Sequence, residues 1–217
     1  EVVRMLATLL GEEDFRKGTD LYFERHDGDA TTIESWLKVF EDATGRDLKQ
    51  FSIWYTQAGT PEVTADGECN AETKTYTLKL QQHTASTPGQ SEKQNLVIPI
   101  KFGLIGPNGQ ELDWESVSGG QVEGDMIILD KAATELTFAG VASQPVPSLL
   151  RGFSAPVKLK SDLTREDQLF LARHDKDGFN RWQALQDVAL RLMVDAVKSN
   201  GDLEESAVAA LAAALGE

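Results

Sequence analysis

The chain has 217 residues, which is enough for one large domain or for two to three small ones. Hydrophobic residues make up 41% and charged residues 26%, a composition typical of a globular protein. The 21 basic and 35 acidic residues give a formal net charge of -14, which argues against a nucleic-acid binder and against charge-driven attachment to anionic membranes. The single cysteine excludes an internal disulfide framework and a cysteine-based metal cluster.

The sequence carries no targeting or membrane signal that we can identify. Glu1 is followed at once by a helical pattern, without the basic segment, apolar stretch and cleavage site of a signal peptide. The longest wholly apolar run, residues 207–215, is far shorter than the roughly 20 residues that a membrane helix needs. We therefore expect a cytoplasmic protein with no membrane partner. The helical start suggests a piece excised from a longer chain.

Residues 1–60 show helical periodicity. Apolar residues over 2–10 predict a first helix, and the acidic residues that follow Gly11 suit the first turn of a second one. Thr31 and Glu34 have the spacing of a capping box in front of a third helix. The apolar face of that helix is formed by Ile33, Trp36, Leu37 and Phe40. Asp47 is predicted to cap a fourth helix that extends to Tyr55.

Residues 61–160 change to the alternating pattern of strands. The clearest alternation runs over 76–80 and 96–104, and turn-forming residues separate the apolar segments. This pattern predicts an antiparallel β-sandwich of seven or eight strands. Pro99 indicates an edge strand or a bulge, because proline cannot donate a ladder hydrogen bond. Ala65-Asp66-Gly67 reads as a turn, and so does the polar segment around Cys69, whose thiol we expect to be inert.

Residues 161–217 return to a helical pattern. Thr164 and Asp167 form a capping pair before one helix, and Asn200-Gly201 is predicted to end the next, longer one. The apolar face of the longer helix is predicted to comprise Phe179, Trp182, Leu185, Ala189, Leu192, Met193 and Ala196. Trp36, Trp54 and Trp182 are all expected in the core. A last helix is predicted to begin at Asp202, with Ala207, Leu211 and Leu215 on its apolar face.

A search for chemistry in the sequence identifies no catalytic, cofactor-binding or metal-binding residue. His26, His83 and His174 are too far apart for a helical zinc motif, and no nucleophile elbow, phosphate loop or Cys-x-x-Cys pair occurs. The tripeptide Arg-His-Asp occurs twice, at 25–27 and 173–175. It is consistent either with a pair of switchable imidazoles or with cations at helix C-termini followed by a capping Asp, and the second interpretation is favoured.

Six segments, in order along residues 2–184, resemble bacterial aminopeptidase N, a zinc metallo-aminopeptidase of the gluzincin family. The segments are Val2–Met5 with Leu9–Phe15, Gly18–Gly28, Phe51–Pro61, Gln144–Leu150, Phe153–Leu159 and Asp177–Ala184. The resemblance implies that residues 1–60 are the helical C-terminal part of the catalytic domain. It likewise implies that 61–160 form the β-sandwich domain and that 161–217 are the first helices of a C-terminal α-helical domain. The multi-domain α and β architecture is the one that periodicity predicts.

The resemblance also implies what the chain does and lacks. In such proteins the zinc-binding region precedes the part that corresponds to residue 1, so the parent protein uses zinc and this fragment alone is expected to bind none and to be inactive. The parent protein removes N-terminal amino acids from peptide substrates, and the fragment supplies scaffold and chamber wall. A stand-alone protein-interaction module built on a β-sandwich is the alternative.

Overall fold

The computed structural model describes residues 1–199 and 205–215. Helices α1 to α4 cover Val2–Leu10, Glu12–His26, Ile33–Thr44 and Ile53–Thr56. Strands β1 to β9 cover Glu62–Asn70, Thr75–His83, Ile98–Ile105, Ser116–Ser118, Gln121–Glu123, Met126–Leu129, Ala133–Ala139, Val146–Leu149 and Lys158–Ser161. A short 3₁₀ helix, Arg151–Phe153, separates β8 from β9. Helices α5 to α7 cover Arg165–His174, Gly178–Lys198 and Glu205–Leu215.

The strands form a two-sheet sandwich, which confirms the predicted fold class. One sheet has the strand order β4-β7-β2-β1-β9 and the other has the order β5-β6-β3-β8. Alternate residues of β2, namely Tyr76, Leu78 and Leu80, are fully buried, as the period-two pattern predicts. Among the described residues there are nine strands rather than seven or eight. The additional ones, β4 and β5, are three residues long and lie in a segment that reads as turns.

One strand pair departs from the antiparallel prediction. β9 runs parallel to β1, with Glu62 opposite Lys158 and Ala65 opposite Ser161. The chain reaches β9 only after it leaves β8 in the other sheet and passes through the 3₁₀ helix. Because this crossover replaces a tight hairpin, the final strand enters the sheet edge in the same direction as β1.

The segment around Gly67 is strand rather than turn, so the prediction for Ala65–Gly67 and for Cys69 is wrong. All of these residues belong to β1, where Gly67 is opposite Leu78 and Cys69 is opposite Tyr76. A Cβ atom at position 67 would lie 2.1 Å from the Tyr76 hydroxyl, so glycine here makes room for a cross-strand side chain. Partial burial raises the pKa of the Cys69 thiol, which supports the expectation that the thiol is inert.

Pro99 lies inside the four-stranded sheet, in the interior strand β3, yet its surroundings agree with the reason for the edge-strand prediction. The first half of β3 pairs only with β6, and the second half alone pairs with β8. Two residues beyond Pro99, the Lys101 amide donates to the Ser154 hydroxyl, 3.0 Å away, instead of to a strand. The missing N–H of Pro99 therefore faces the side of β3 that has no ladder partner at this point.

The helices predicted in the N-terminal and C-terminal segments agree with the structure at α1, α2 and α5, and they differ from it at α3, α4 and α6. The cap of α3 is Thr32, whose hydroxyl accepts from the Ser35 amide, and not Thr31. The predicted fourth helix is reduced to turns and the four residues of α4, because Asp47 accepts the amide of Lys49 in a local turn instead of capping a helix.

The face that α6 buries also differs from the prediction. Its buried residues are Asn180, Ala184, Val188 and Leu192, spaced by four, whereas Trp182 is 54% exposed and Met193 is 58% exposed. Of the three tryptophans expected in the core, Trp36 and Trp54 are half-buried against it and Trp182 is not. The predicted end at Asn200-Gly201 and the predicted start at Asp202 lie outside the described residues. So do the side chains of Ala207 and Leu215, whereas Leu211 packs near Val188 and Leu192.

Candidate functional site

The most concentrated buried polar cluster that we find joins the sandwich to the C-terminal helices. We call it the polar junction, and its members are Glu111, Ser148, Arg151, Asp175 and Asn180. Ser148 is the next-to-last residue of β8, with the 3₁₀ helix close behind it. Asp175 follows α5, and Asn180 lies in the first turn of α6. The junction therefore forms only when helices α5 and α6 pack against this corner of the sandwich.

Hydrogen bonding around Ser148 fixes the role of each neighbour. The serine oxygen accepts from Arg151 Nε at 3.0 Å and from Asn180 Nδ2 at 2.8 Å. A hydroxyl has two acceptor positions and one proton, so the remaining bond must be a donation, and Ser148 donates to Asp175 Oδ2. Asp175 has a side chain that is 0% exposed, and its other oxygen accepts the Asp177 amide at 3.0 Å. The buried carboxylate is thus an acceptor with defined donors.

Arg151 supplies the positive charge that this buried carboxylate requires. Its Nη2 atom lies 2.9 Å from Asp175 Oδ1 at an angle too bent for a hydrogen bond, so this contact is an ion pair. Its Nη1 atom donates to Glu111 Oε1, and Lys176 donates to the other oxygen of Glu111 at 2.9 Å. Hydrogen bonds from Lys176 and Arg151 hold the pKa of Glu111 below its usual range.

Backbone geometry beside the junction is unusual. Leu150, Gly152 and Phe153 all have left-handed φ angles, of 59°, 61° and 54°. This region is disfavoured for residues with a Cβ atom, so surrounding contacts must hold the two non-glycine residues there. Arg4 of α1 donates to the carbonyl oxygens of Gly152, at 2.7 Å, and of Phe153. The Gly152 amide donates to Asp177 Oδ2 at 3.0 Å.

The two Arg-His-Asp tripeptides have different surroundings. Both lie at helix ends, with the basic pair in the last turn of α2 and of α5, as the favoured interpretation predicts. Arg25 pairs with Asp42 on α3, 2.6 Å away, and His26 contacts the Tyr22 ring. In the second copy the aspartate is Asp175, the buried centre of the polar junction. Sequence reasoning assigned it only a capping role, because its burial depends on β8, which is distant in sequence.

A second polar contact region joins residues 50–58 to the loop before β3, and glutamine amides make most of it. Gln57 and Gln94 exchange two hydrogen bonds, at 3.1 and 2.8 Å. Gln90 likewise accepts from the Ala58 amide and donates to the Thr56 carbonyl, both at 2.8 Å. Side-chain amides therefore complete a ladder-like contact between the end of the helical segment and the sandwich.

A groove of about 640 Å³ lies between the first helices and the four-stranded sheet. Arg46 spans it, with Nη2 2.8 Å from Glu123 Oε2, and this hydrogen bond lowers the pKa of the Glu123 carboxyl. Leu9 lines the groove from α1 and Ile128 lines it from β6. The groove is open and polar, and its ion pair ties the helices to the sandwich.

Neither a metal centre nor a membrane span is found in the part of the chain that the structure describes. Over residues 1–199 and 205–215, no three His, Cys, Asp or Glu side chains are grouped so that they could hold a metal ion. None of the helices in those ranges has the length and apolar character needed to cross a bilayer. The absence of catalytic and cofactor-binding residues stays a prediction.

Comparison with protein families gives two consecutive matches. Residues 59–162 match the family described as "Domain of unknown function (DUF3458) Ig-like fold". Residues 165–217 match the family described as "Domain of unknown function (DUF3458_C) ARM repeats". The first match coincides with the strands β1 to β9 and the second begins at the first residue of α5.

Several proteins similar to this chain are named aminopeptidase N. Aminopeptidase N of Escherichia coli (strain K12) is 45% identical over 186 residues, which is 86% of this chain and 21% of that protein. Aminopeptidase N of Haemophilus influenzae is 40% identical over the same shares of both chains. In Caulobacter vibrioides the identity is 42% over 89% of this chain. The chain spans about a fifth of the length of these relatives.

A solved structure matches the whole chain. It is the crystal structure of Legionella pneumophila aminopeptidase A in complex with aspartic acid, and the sequences are 30% identical. The match has a TM-score of 0.81 and covers 100% of this chain and 24% of that one. The arrangement of helices and sandwich described above therefore also occurs within a larger aminopeptidase.

Proposed function

Because the chain is homologous to the non-catalytic region of aminopeptidase N, we propose that it is a scaffold section of a zinc-dependent enzyme that removes N-terminal amino acids from peptides. The observation that carries the proposal is identity of 40 to 45% to relatives of that name over 86% of the chain. The parent protein binds peptide substrates and zinc through residues outside this chain. This chain contributes the supporting wall.

We further propose that each of the three segments has its own role. Residues 1–60 are the helical end of the catalytic domain, 61–160 are a β-sandwich that acts as a spacer, and 161–217 open the C-terminal helical domain. The change from helix to strand at Glu62 and back to helix at Arg165 supports this division. We also propose a cytoplasmic location for the parent protein.

The contacts between the segments support a spacer of fixed shape. Glutamine amides bind residues 50–58 to the sandwich, the Arg46–Glu123 ion pair crosses the groove, and the polar junction holds α5 and α6. Hydrogen bonds are directional, so these contacts fix orientation as well as distance. A spacer with such contacts at both ends sets the angle between the two helical segments.

The exposed face of α6 supports a position within a larger helical array. Leu190, Met193, Val194 and Val197 are exposed apolar residues on this helix. Repeat proteins of the armadillo type bury such faces by stacking one helix pair on the next. In the parent protein we propose that further helices of the same domain cover this face.

The proposal is tested with the 217-residue chain beside the full-length parent protein. We expect the full-length protein to contain zinc by elemental analysis and to hydrolyse aminoacyl p-nitroanilides. We expect the chain alone to contain no stoichiometric zinc and to show no hydrolysis. Stoichiometric zinc and amino-acid release by the purified chain would contradict the scaffold assignment.

The stand-alone interaction module stays the alternative, and the exposed apolar face of α6 is the observation that favours it. The codons upstream of Glu1 in the same reading frame separate the two hypotheses. A histidine-glutamate zinc motif upstream supports the aminopeptidase section. A start codon immediately before Glu1 supports the module.

A further inference from the structure

The backbone amide and carbonyl of one residue, Gly152, are bonded by side chains from two parts of the chain that are far apart in sequence. The carbonyl of Gly152 accepts from Arg4 Nη1 of α1 at 2.7 Å, and its amide donates to Asp177 Oδ2 at 3.0 Å. Asp177 is the N-cap of α6, and its other oxygen accepts the Asn180 amide at 2.9 Å. Gly152 thus links the first helix of the chain to the cap of α6.

The conformation of the segment around Gly152 depends on its neighbours. Leu150, Gly152 and Phe153 are all left-handed, and only the glycine adopts that conformation without steric cost. Within the segment, the Phe153 amide donates to the Leu150 carbonyl at 2.9 Å. The two carbonyl bonds from Arg4 oppose relaxation of this segment to an ordinary conformation.

Ring contacts follow the same path. The Arg4 guanidinium lies 5.3 Å from the centre of the Phe153 ring, and that ring lies 5.4 Å from Phe179 in the first turn of α6. Phe179 in turn lies 5.8 Å from Trp182. The hydrogen-bonded path and the aromatic path therefore both begin at Arg4 and both end in the first turns of α6.

We propose that Arg4 is a positioning residue that fixes the start of α6 through Gly152, so that α1 and α6 are energetically coupled through the residues that lie between them. This coupling goes beyond the scaffold role, because it is a property of the 217-residue chain and holds whatever the parent protein does. Coupling of this kind is reciprocal, so a change at the α6 cap alters the segment that Arg4 binds.

The test measures hydrogen exchange by NMR at the Gly152 amide in the 217-residue chain. Arg4 does not contact this N–H, which is bonded to Asp177. We expect Arg4→Met to accelerate exchange at the Gly152 amide by at least about threefold relative to exchange at the Leu78 amide of β2. This threshold exceeds the roughly twofold change expected between sites that do not interact. Arg16→Met is the matched control, since Arg16 forms an exposed pair with Asp20 on α2 and should leave the ratio unchanged.

The reciprocal measurement uses Asp177→Asn. Gly152 and Asn180 donate to different oxygens of Asp177, and asparagine in the same position replaces one of these oxygens with an NH₂ donor, so one of the two bonds is lost. We expect exchange at the Phe153 amide to rise by at least about threefold relative to Leu78. In the double variant that combines Arg4→Met with Asp177→Asn, exchange at the Phe153 amide should be little faster than in the single variant with the larger effect. Full additivity in the double variant would overturn the proposal.

A smaller change than threefold at Gly152 in Arg4→Met would also overturn it. Should that variant fail to fold, Arg4→Lys replaces it and is judged by the same ratio. The compact ammonium of lysine cannot reproduce the fork that reaches both carbonyl oxygens. These outcomes are independent of zinc content and hydrolysis, so failure of the coupling and failure of the proposed function are distinguishable.

Discussion

Replacing Asp175 by asparagine tests whether the polar junction holds the C-terminal helices on the sandwich. The substitution preserves size and leaves one oxygen for the Asp177 amide. It changes the atom that faces Ser148 from an acceptor to a donor. Both acceptor positions of Ser148 are already taken by Arg151 and Asn180, so the serine proton and the new amide protons have no partners.

The expected loss follows from these contacts. Removing one member of a buried ion pair costs about 3–5 kcal/mol, because the other charge is left without compensation. Arg151 keeps Glu111 as a second partner, which favours the lower end of that range. The lost donation from Ser148 to a charged acceptor adds roughly 1.5–3 kcal/mol, part of which the same buried-pair figure already contains. We expect a net loss of about 4 kcal/mol in the free energy of unfolding.

Urea unfolding followed by circular dichroism measures this loss as a lower midpoint at constant slope. Asp195→Asn is the matched control, because Asp195 is an exposed residue of α6 and its replacement should change the free energy by less than about 0.5 kcal/mol. A loss below about 1 kcal/mol for Asp175→Asn would refute the view that its buried hydrogen bonds hold α5 and α6 in place.

Three other substitutions test separate parts of the structure. Gln82→Met should lower the free energy of unfolding by about 2–3 kcal/mol, because the buried Leu96 amide and carbonyl, each 2.8 Å from the Gln82 amide group, lose their partner. Gln81→Met, at an exposed position, is the control in urea unfolding, and an equal loss of stability in the two variants would contradict the reasoning. Gly18→Ala should destabilise the protein by about 1–2 kcal/mol despite the better helix propensity of alanine, because the new Cβ would lie 2.1 Å from the buried Phe40 ring. A Cβ at Gly178 would meet no atom within 4 Å, so Gly178→Ala should not destabilise the protein. A thermal melt that ranks the two variants in the reverse order would refute the packing argument. The pKa of Glu111 is lowered in the folded state, so the stability that its carboxylate contributes is complete above the unfolded pKa of about 4.3 and is lost as pH falls through the folded pKa. The difference in unfolding free energy between the unsubstituted chain and Glu111→Gln should therefore shrink below about pH 4. A difference that stays constant with pH would exclude the ion pairing.

Local patterns in the sequence predict much of this fold. Helix α1 and the capping pair Thr164–Asp167 depend on neighbours within one or two turns, and both are found where the pattern puts them. The alternation in β2 likewise predicts which residues are buried, since side chains of a strand point to opposite faces. Such predictions succeed because the determining contacts are close in sequence.

Contacts between distant segments explain where the predictions fail. Asp175 reads as an ordinary capping residue, and its burial becomes evident only when Ser148 and Arg151 approach from the sandwich. Trp182 reads as core because its spacing fits one helical face, but α6 turns the face with Val188 inwards instead. Gly67 reads as a turn because Tyr76, the residue that requires glycine there, lies on the neighbouring strand.

The parallel pairing of β1 and β9 has a mechanical consequence for the whole chain. β1 begins directly after the first helices and β9 ends directly before α5, so the two strands connect the sandwich to the segments on either side. Tension applied between those segments pulls the strands along their length in opposite directions. Their ladder, with Lys158 donating to the Pro61 carbonyl at one end and Asp162 donating to the Ala65 carbonyl at the other, is then loaded in shear. All its bonds share the force at once instead of opening one after another.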